Sequence, residues 1–236
     1  MYKALRDTGV AGIPGEHLYL SFEEEKDLPG LSPFDQYRHK LWAKGTTPNG
    51  VLGVNHDLNG REYLKFYKKL SSLRGDPSPG TDHEDLWKEI FPNCKHIFLT
   101  RRNKLRQAIS WWRAIKDQVW HLGPGDSHQN PEEFYVEHYD LAALKHLLSE
   151  ILLKEAATQE YFDRHGIEPL NLVYEEMVAD FPKALKQVLE YLELYEEGMI
   201  LPVPYYHPTA DVHTEIWLKR LHEDLQADDA QFWLWD

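Results

Sequence analysis

The stretch KHIFLTRRNKLRQAISWWRAIK, residues 95–116, decides the fold. His96–Thr100 is a short apolar run with strand character, and Leu105, Ala108, Ile109, Trp112, Ile115 and Val119 recur behind it at helical spacing. Asn103 stands where such a helix takes its N-cap. A strand that feeds directly into a helix is the unit from which layered α/β proteins are built. The stretch also holds seven Lys or Arg and no Asp or Glu, in a chain where acids outnumber bases by 39 to 26. Arg101 and Arg102 therefore fall at the carboxyl end of a strand and just ahead of a helix N-terminus. Free backbone N–H groups and the positive end of the helix dipole favour an anion at such a corner. Arg106, Ser110 and Arg113 follow at i, i+4 and i+7 on one helix face, and the spacing predicts that face to lie opposite the apolar stripe, open to the same anion. A solvated basic face that balances an acidic remainder is the competing reading of the same residues.

Outward from this stretch, the chain continues to read as α/β. Strands are predicted at His17–Phe22, Gly50–Val54, His96–Thr100 and Leu170–Tyr174, each a short apolar run bounded by Gly, Pro or Asn. Helices are predicted from Ser32 to Ala43, Arg61 to Leu73, Asn103 to Trp120, Pro131 to His165, Glu176 to Leu192 and His213 to Leu225. Strands separated by helices imply a mostly parallel sheet covered on both faces, a three-layer α/β/α arrangement. Residues 74–85 and 121–131 are polar turn clusters expected to be surface loops. A chain of 236 residues with 42% hydrophobic content has material for one large core, so residues 1–236 are expected to form a single domain.

Composition removes several function classes. A net charge of -13 argues against nucleic acid as a partner, because binding a phosphate backbone needs a basic surface. No run approaches the roughly 18 apolar residues of a transmembrane span, and the single cysteine, Cys94, permits no internal disulfide. A cytoplasmic protein is expected. The pair His56-Asp57 suggests a metal-dependent hydrolase only if further ligands can be assigned, and the 13 histidines show no ligand spacing, so no metal is expected.

Five blocks carry a resemblance. TGVAGIPGE at 8–16, TTPNGVLG at 46–53, FPNCKHIFLTRRNKLRQAISWWRA at 91–114 with VW at 119–120, GIEPLNLVYEEM at 166–177 and TADVHTEIWLKR at 209–220 resemble successive blocks of the bacterial trehalose sulfotransferase family. The resemblance implies a fold related to P-loop nucleotide-binding proteins. It also implies 3′-phosphoadenosine-5′-phosphosulfate as sulfuryl donor and a sugar or glycolipid hydroxyl as acceptor. Glu16 stands in the block of the family's general base. Arg101 and Ser110 are implied to take the donor's 3′-phosphate, with Arg102 as the competing register for the arginine. Arg220, with Lys3 and Arg6, is the reserve candidate for the phosphosulfate.

Two departures from the family pattern bear on activity. The family's first strand and its Ser/Gly-rich phosphosulfate loop precede the segment matching Leu5–Gly9, and Met1 falls on the helix that follows them, so both are expected to be missing. After TPNGVLG the family continues with a lysine where this chain has Asn55. A non-catalytic binding or dimerisation module that keeps the fold is therefore the alternative to an enzyme. The aromatic Phe232-Trp233-Leu234-Trp235 and the long predicted helix 131–165 suggest a homodimer. Trp42, Trp111, Trp112 and Trp120 are candidates to stack on a sugar, although aromatics at helical spacing more often pack in a core.

Overall fold

The computed structural model describes residues 1–19, 28–56, 61–75 and 83–228. In chain order the elements are α1 (Tyr2–Asp7), a 3₁₀ turn (His17–Tyr19), α2 (Pro33–Gly45), α3 (Arg61–Arg74), α4 (His83–Ile90), β1 (Ile97–Thr100), α5 (Lys104–Asp117), α6 (Glu132–His138), α7 (Leu141–His165), β2 (Leu170–Val173), α8 (Tyr174–Ala179), α9 (Phe181–Tyr191) and α10 (Val212–Asp228). The protein is thus α/β and rich in helix, with β1 and β2 pairing as a small parallel sheet.

The chain divides into two compact units, each built from several segments. The first comprises Met1–Leu99, Thr158–Leu172 and Glu176–Val203. Its core gathers Tyr37 and Leu41 of α2, Phe66, Tyr67 and Leu70 of α3, Leu86, Trp87 and Ile90 of α4, and Phe162 of α7. The ring of Trp87 packs at 4.5 Å from Phe91 and 4.9 Å from His56. Trp42 donates its indole N–H to the Ile90 carbonyl at 2.9 Å, which makes it a packing residue. The second unit comprises Thr100–Ala157, Val173–Glu175 and Pro204–Asp236. In it α5, α6, α7 and α10 bury Ile109, Tyr135, Leu144, Trp217 and Leu221.

Several predicted elements are corrected. Within the predicted strand 17–22 the described residues 17–19 form a single 3₁₀ turn, because His17 turns its ring back onto the Ile13 carbonyl at 2.7 Å. Residues 20–22 of that prediction lie outside the described set. Gly50–Val54 is no strand; Leu52 makes one isolated antiparallel bridge with Thr46. The predicted helix 131–165 is two helices, α6 and α7, because Tyr139 is extended and Asp140 caps α7 by accepting from the Ala143 amide at 3.0 Å. In the same way Asp180 ends α8 and caps α9 through the Lys183 amide at 3.1 Å, with Pro182 in the first turn. α4 covers residues read as loop or left unassigned. The aromatic tail 232–235 and Asp57 lie outside the described residues.

Among the described residues no helix is long and apolar enough to cross a membrane.

Candidate functional site

Glu16 lies in the first unit, on a backbone fixed from several sides. The Gly12-Ile13-Pro14-Gly15 turn threads past the 46–55 segment. The Ile13 and Gly53 amides both donate to the Gly45 carbonyl, at 2.7 and 3.0 Å, and the Asn55 amide donates to the Gly15 carbonyl at 2.8 Å. Thr47 Oγ1 accepts from the Gly12 amide at 3.2 Å, and Asn49 donates to the Val10 carbonyl at 2.8 Å. Two of the blocks that carry the family resemblance are thereby locked together, and position 55 sits next to the residue before Glu16. The Glu16 side chain itself is exposed.

The tightest point of this mount is Gly12, which holds φ at +75° and whose missing Cβ would lie 2.2 Å from the Gly53 nitrogen. Gly12→Ala is expected to cost about 2 kcal/mol of stability through the left-handed backbone and the overlap together. Thermal or denaturant unfolding of the variant measures it, and an unchanged midpoint refutes it.

The basic corner is built within the second unit. β1 ends at Thr100, and α5 starts at Lys104 with Asn103 as N-cap, its side chain accepting from the Arg106 amide at 2.9 Å. Arg101 lays its guanidinium on the Tyr174 ring, 4.7 Å from the centroid. Its Nε is buried without a hydrogen bond, and Glu175 Oε1 is 3.7 Å from it. Burial pushes this guanidinium below its ordinary pKa, against the opposing pull of Tyr174 and Glu175, and it stays a cation at neutral pH. Arg102 is exposed. Ser110 lies half-buried on α5, one turn beyond Arg106.

Three acids that the sequence reading did not single out shape this unit. Glu175 accepts from the Arg102 and Asn103 amides at 2.9 and 3.2 Å. Burial works against its charge, but those two amides, and then Arg101, hold its carboxyl below the usual range. Glu215 takes Arg106 in a two-pronged pair at 2.7 and 2.6 Å. Asp211 takes Arg113 likewise at 2.7 and 2.8 Å. The expected open face of Arg106, Ser110 and Arg113 is therefore corrected. Arg113 is buried at 4% exposure, lies over the Tyr135 ring and also donates to Thr214, so it belongs to the interior.

Removing Arg113 leaves Asp211 beside a buried face without its cation. Arg113→Ala is expected to destabilise the protein by about 2 kcal/mol, less than a fully buried pair because Asp211 keeps some solvent. Burial disfavours the Asp211 carboxylate, yet the Arg113 and Thr214 hydrogen bonds prevail and its pKa is depressed. A depressed carboxylate stabilises the folded state above its unfolded pKa, near 4, and that contribution is lost as pH falls through the folded value. Unfolding of the variant should thus show a shallower loss of stability below about pH 4 than the wild type does; equal slopes overturn the assignment.

Arg220 lies on α10 with other partners. It stacks on Tyr139 at 3.9 Å, stands 3.8 Å from Asp224, and borders a surface cleft of about 480 Å³ that also includes Trp112 and Lys116. Trp111 is covered by Lys154, Trp112 donates to the His138 carbonyl, and Trp120 is 51% exposed. Among the described residues no three His, Cys, Asp or Glu side chains group as metal ligands.

A strand-to-helix elbow that presents arginines in a strongly acidic chain suits an enzyme that handles an anionic group donor. The chain belongs to the Stf0 sulphotransferase family, whose family model matches residues 1–224, and by that membership it is a sulfotransferase. It is similar to the trehalose 2-sulfotransferase of Mycolicibacterium smegmatis, with 24% identity over 254 residues that cover 97% of this chain and 91% of the relative. It is similar also to the trehalose 2-sulfotransferase of Mycobacterium tuberculosis, at 24% over 230 residues, or 93% of this chain and 82% of the relative.

Proposed function

We propose that the chain transfers a sulfuryl group from 3′-phosphoadenosine-5′-phosphosulfate to a carbohydrate hydroxyl, on trehalose or a glycolipid sugar, in the cytoplasm and as a homodimer. The observation that carries this reading is the β1–α5 elbow, where Arg101 holds a half-buried, charged guanidinium whose Nε is buried without a hydrogen bond. The names of the two mycobacterial relatives support a sugar acceptor. In this reading residues 1–236 act as one functional domain of the three-layer, P-loop-like kind. The exposed Leu152 and Leu153 of α7 support the dimer as apolar surface available to a second copy.

Arg101 or Arg102, with Ser110, binds the donor's 3′-phosphate, and Arg220 is the reserve contact for the phosphosulfate. Glu16, exposed on a pinned turn, is the base. The donor supplies a sulfuryl group whose leaving oxygen belongs to the 5′-phosphate. As the acceptor oxygen bonds to sulfur, the bond from sulfur to that phosphate oxygen breaks and its electron pair stays on the phosphate. The acceptor's proton passes to a Glu16 carboxylate oxygen. The chain's contribution is position and charge, and the scheme requires no metal.

Incubation with ³⁵S-labelled donor and trehalose tests the proposal. Label in the sugar, matched by release of adenosine 3′,5′-bisphosphate, is the expected result. Nucleotide binding without label in any sugar offered would favour the non-catalytic module.

A further inference from the structure

We infer that Glu175 is a positioning residue of the donor corner, an inference that rests on the donor reading above. Its carboxylate takes the Arg102 and Asn103 amides and, with Tyr174, sets the place of the Arg101 guanidinium that grips the 3′-phosphate. The two Glu175 oxygens each take one amide, from Arg102 and from Asn103. Asn103 is the N-cap of α5 and Arg102 precedes it, so the carboxylate fixes the chain where it enters the helix, while the Asn103 side chain takes the Arg106 amide. On its other side the elbow is fixed as firmly. The Lys104 ammonium donates to the Arg101 carbonyl and to Thr100 Oγ1, and is held at 2.7 Å by Glu155, which also accepts from Thr100.

The Arg102 and Asn103 amides and the Arg101 and Asn103 carbonyls are thus all bonded within the protein. Glu175 and the preceding Tyr174 also define where the Arg101 guanidinium lies, one beside it at 3.7 Å and the other beneath it at 4.7 Å. A carboxylate so close to an anion site repels the anion through space. Its retention in this place is explained if holding the elbow and Arg101 in register contributes more to binding than the repulsion removes.

The sign of a charge-removing substitution separates the two effects. Calorimetric titration with adenosine 3′,5′-bisphosphate and with adenosine 5′-monophosphate is run on the wild type, Glu175→Ala and Glu175→Gln. Positioning predicts that Glu175→Ala weakens the bisphosphate by about tenfold although it removes a negative charge, and leaves the monophosphate, which lacks the 3′-phosphate, within about twofold. Glu175→Gln, which keeps the shape and one acceptor oxygen, should recover part of the loss. Hydrogen exchange at the Arg102 and Asn103 amides should quicken in Glu175→Ala without ligand. Bisphosphate binding that is unchanged or tighter in Glu175→Ala overturns the inference while the donor reading stands. Equal weakening of both nucleotides overturns it as well, since that is the mark of general unfolding. Absence of bisphosphate binding by the wild type overturns the donor reading and the inference with it.

Discussion

Replacing Glu16 with glutamine lowers sulfuryl transfer by about a hundredfold or more and leaves the affinity for adenosine 3′,5′-bisphosphate unchanged. The glutamine amide keeps the size of the side chain and cannot take up a proton. The exposed position of Glu16 matters here, because the substitution fills no core and breaks no buried hydrogen bond. Its backbone is held by Asn55 through Gly15 and by the Gly45 carbonyl through Ile13, so the loss of rate reports the proton acceptor and not a displaced turn. The measurement is single-turnover transfer beside nucleotide titration. A rate within threefold of wild type would remove Glu16 from the reaction, and a parallel loss of nucleotide affinity would assign it to binding.

The double substitution Arg101→Ala/Arg102→Ala weakens adenosine 3′,5′-bisphosphate by about ten- to a hundredfold. A charge-assisted pair of hydrogen bonds to a phosphate contributes roughly 1.5–3 kcal/mol, and little else in so acidic a chain can take its place. Glu175 already holds the Arg102 and Asn103 amides, so those two N–H groups offer no reserve grip. The single substitutions divide the effect between the two arginines. Arg101→Ala also removes the cation from Tyr174 and from beside Glu175, so it should lower the melting temperature slightly. Equal affinity of the double variant and the wild type removes the phosphate from this corner.

The elbow was legible in the sequence because two local signals meet there. Apolar periodicity changes from that of a strand to that of a helix between Thr100 and Lys104, and Asn103 announces the cap that α5 uses. The breaks at Asp140 and Asp180 were equally local. Each Asp caps the next helix, and Pro182 reinforces the second, but a continuous apolar pattern was allowed to run across them. The acids of the site were out of reach for a different reason. Glu175 meets residues 73 and 72 positions away, Asp211 meets Arg113 at 98, and Glu215 meets Arg106 at 109. No spacing rule links such pairs, so Arg106 and Arg113 read as an open basic face when they are the inner halves of ion pairs. The strand readings at 17–19 and 50–54 failed on the same ground. A short apolar run becomes a strand only if a neighbour pairs with it, and the described part of the first is turned by the His17–Ile13 contact.

The Arg113–Asp211 and Arg106–Glu215 pairs also bear on the order in which the protein comes into being. On the ribosome α5 emerges about a hundred residues before its acidic partners, and at about 5–20 residues per second that interval lasts several seconds or more. Throughout it the nascent helix carries an arginine destined for the interior and a second one destined for α10, both without their carboxylates. The second unit can close only once residues 211–215 have been made, a late, long-range step of the kind that slows folding. A nascent chain arrested before Asp211 should accordingly be sensitive to protease within α5, and one arrested after α10 has cleared the exit tunnel should resist it.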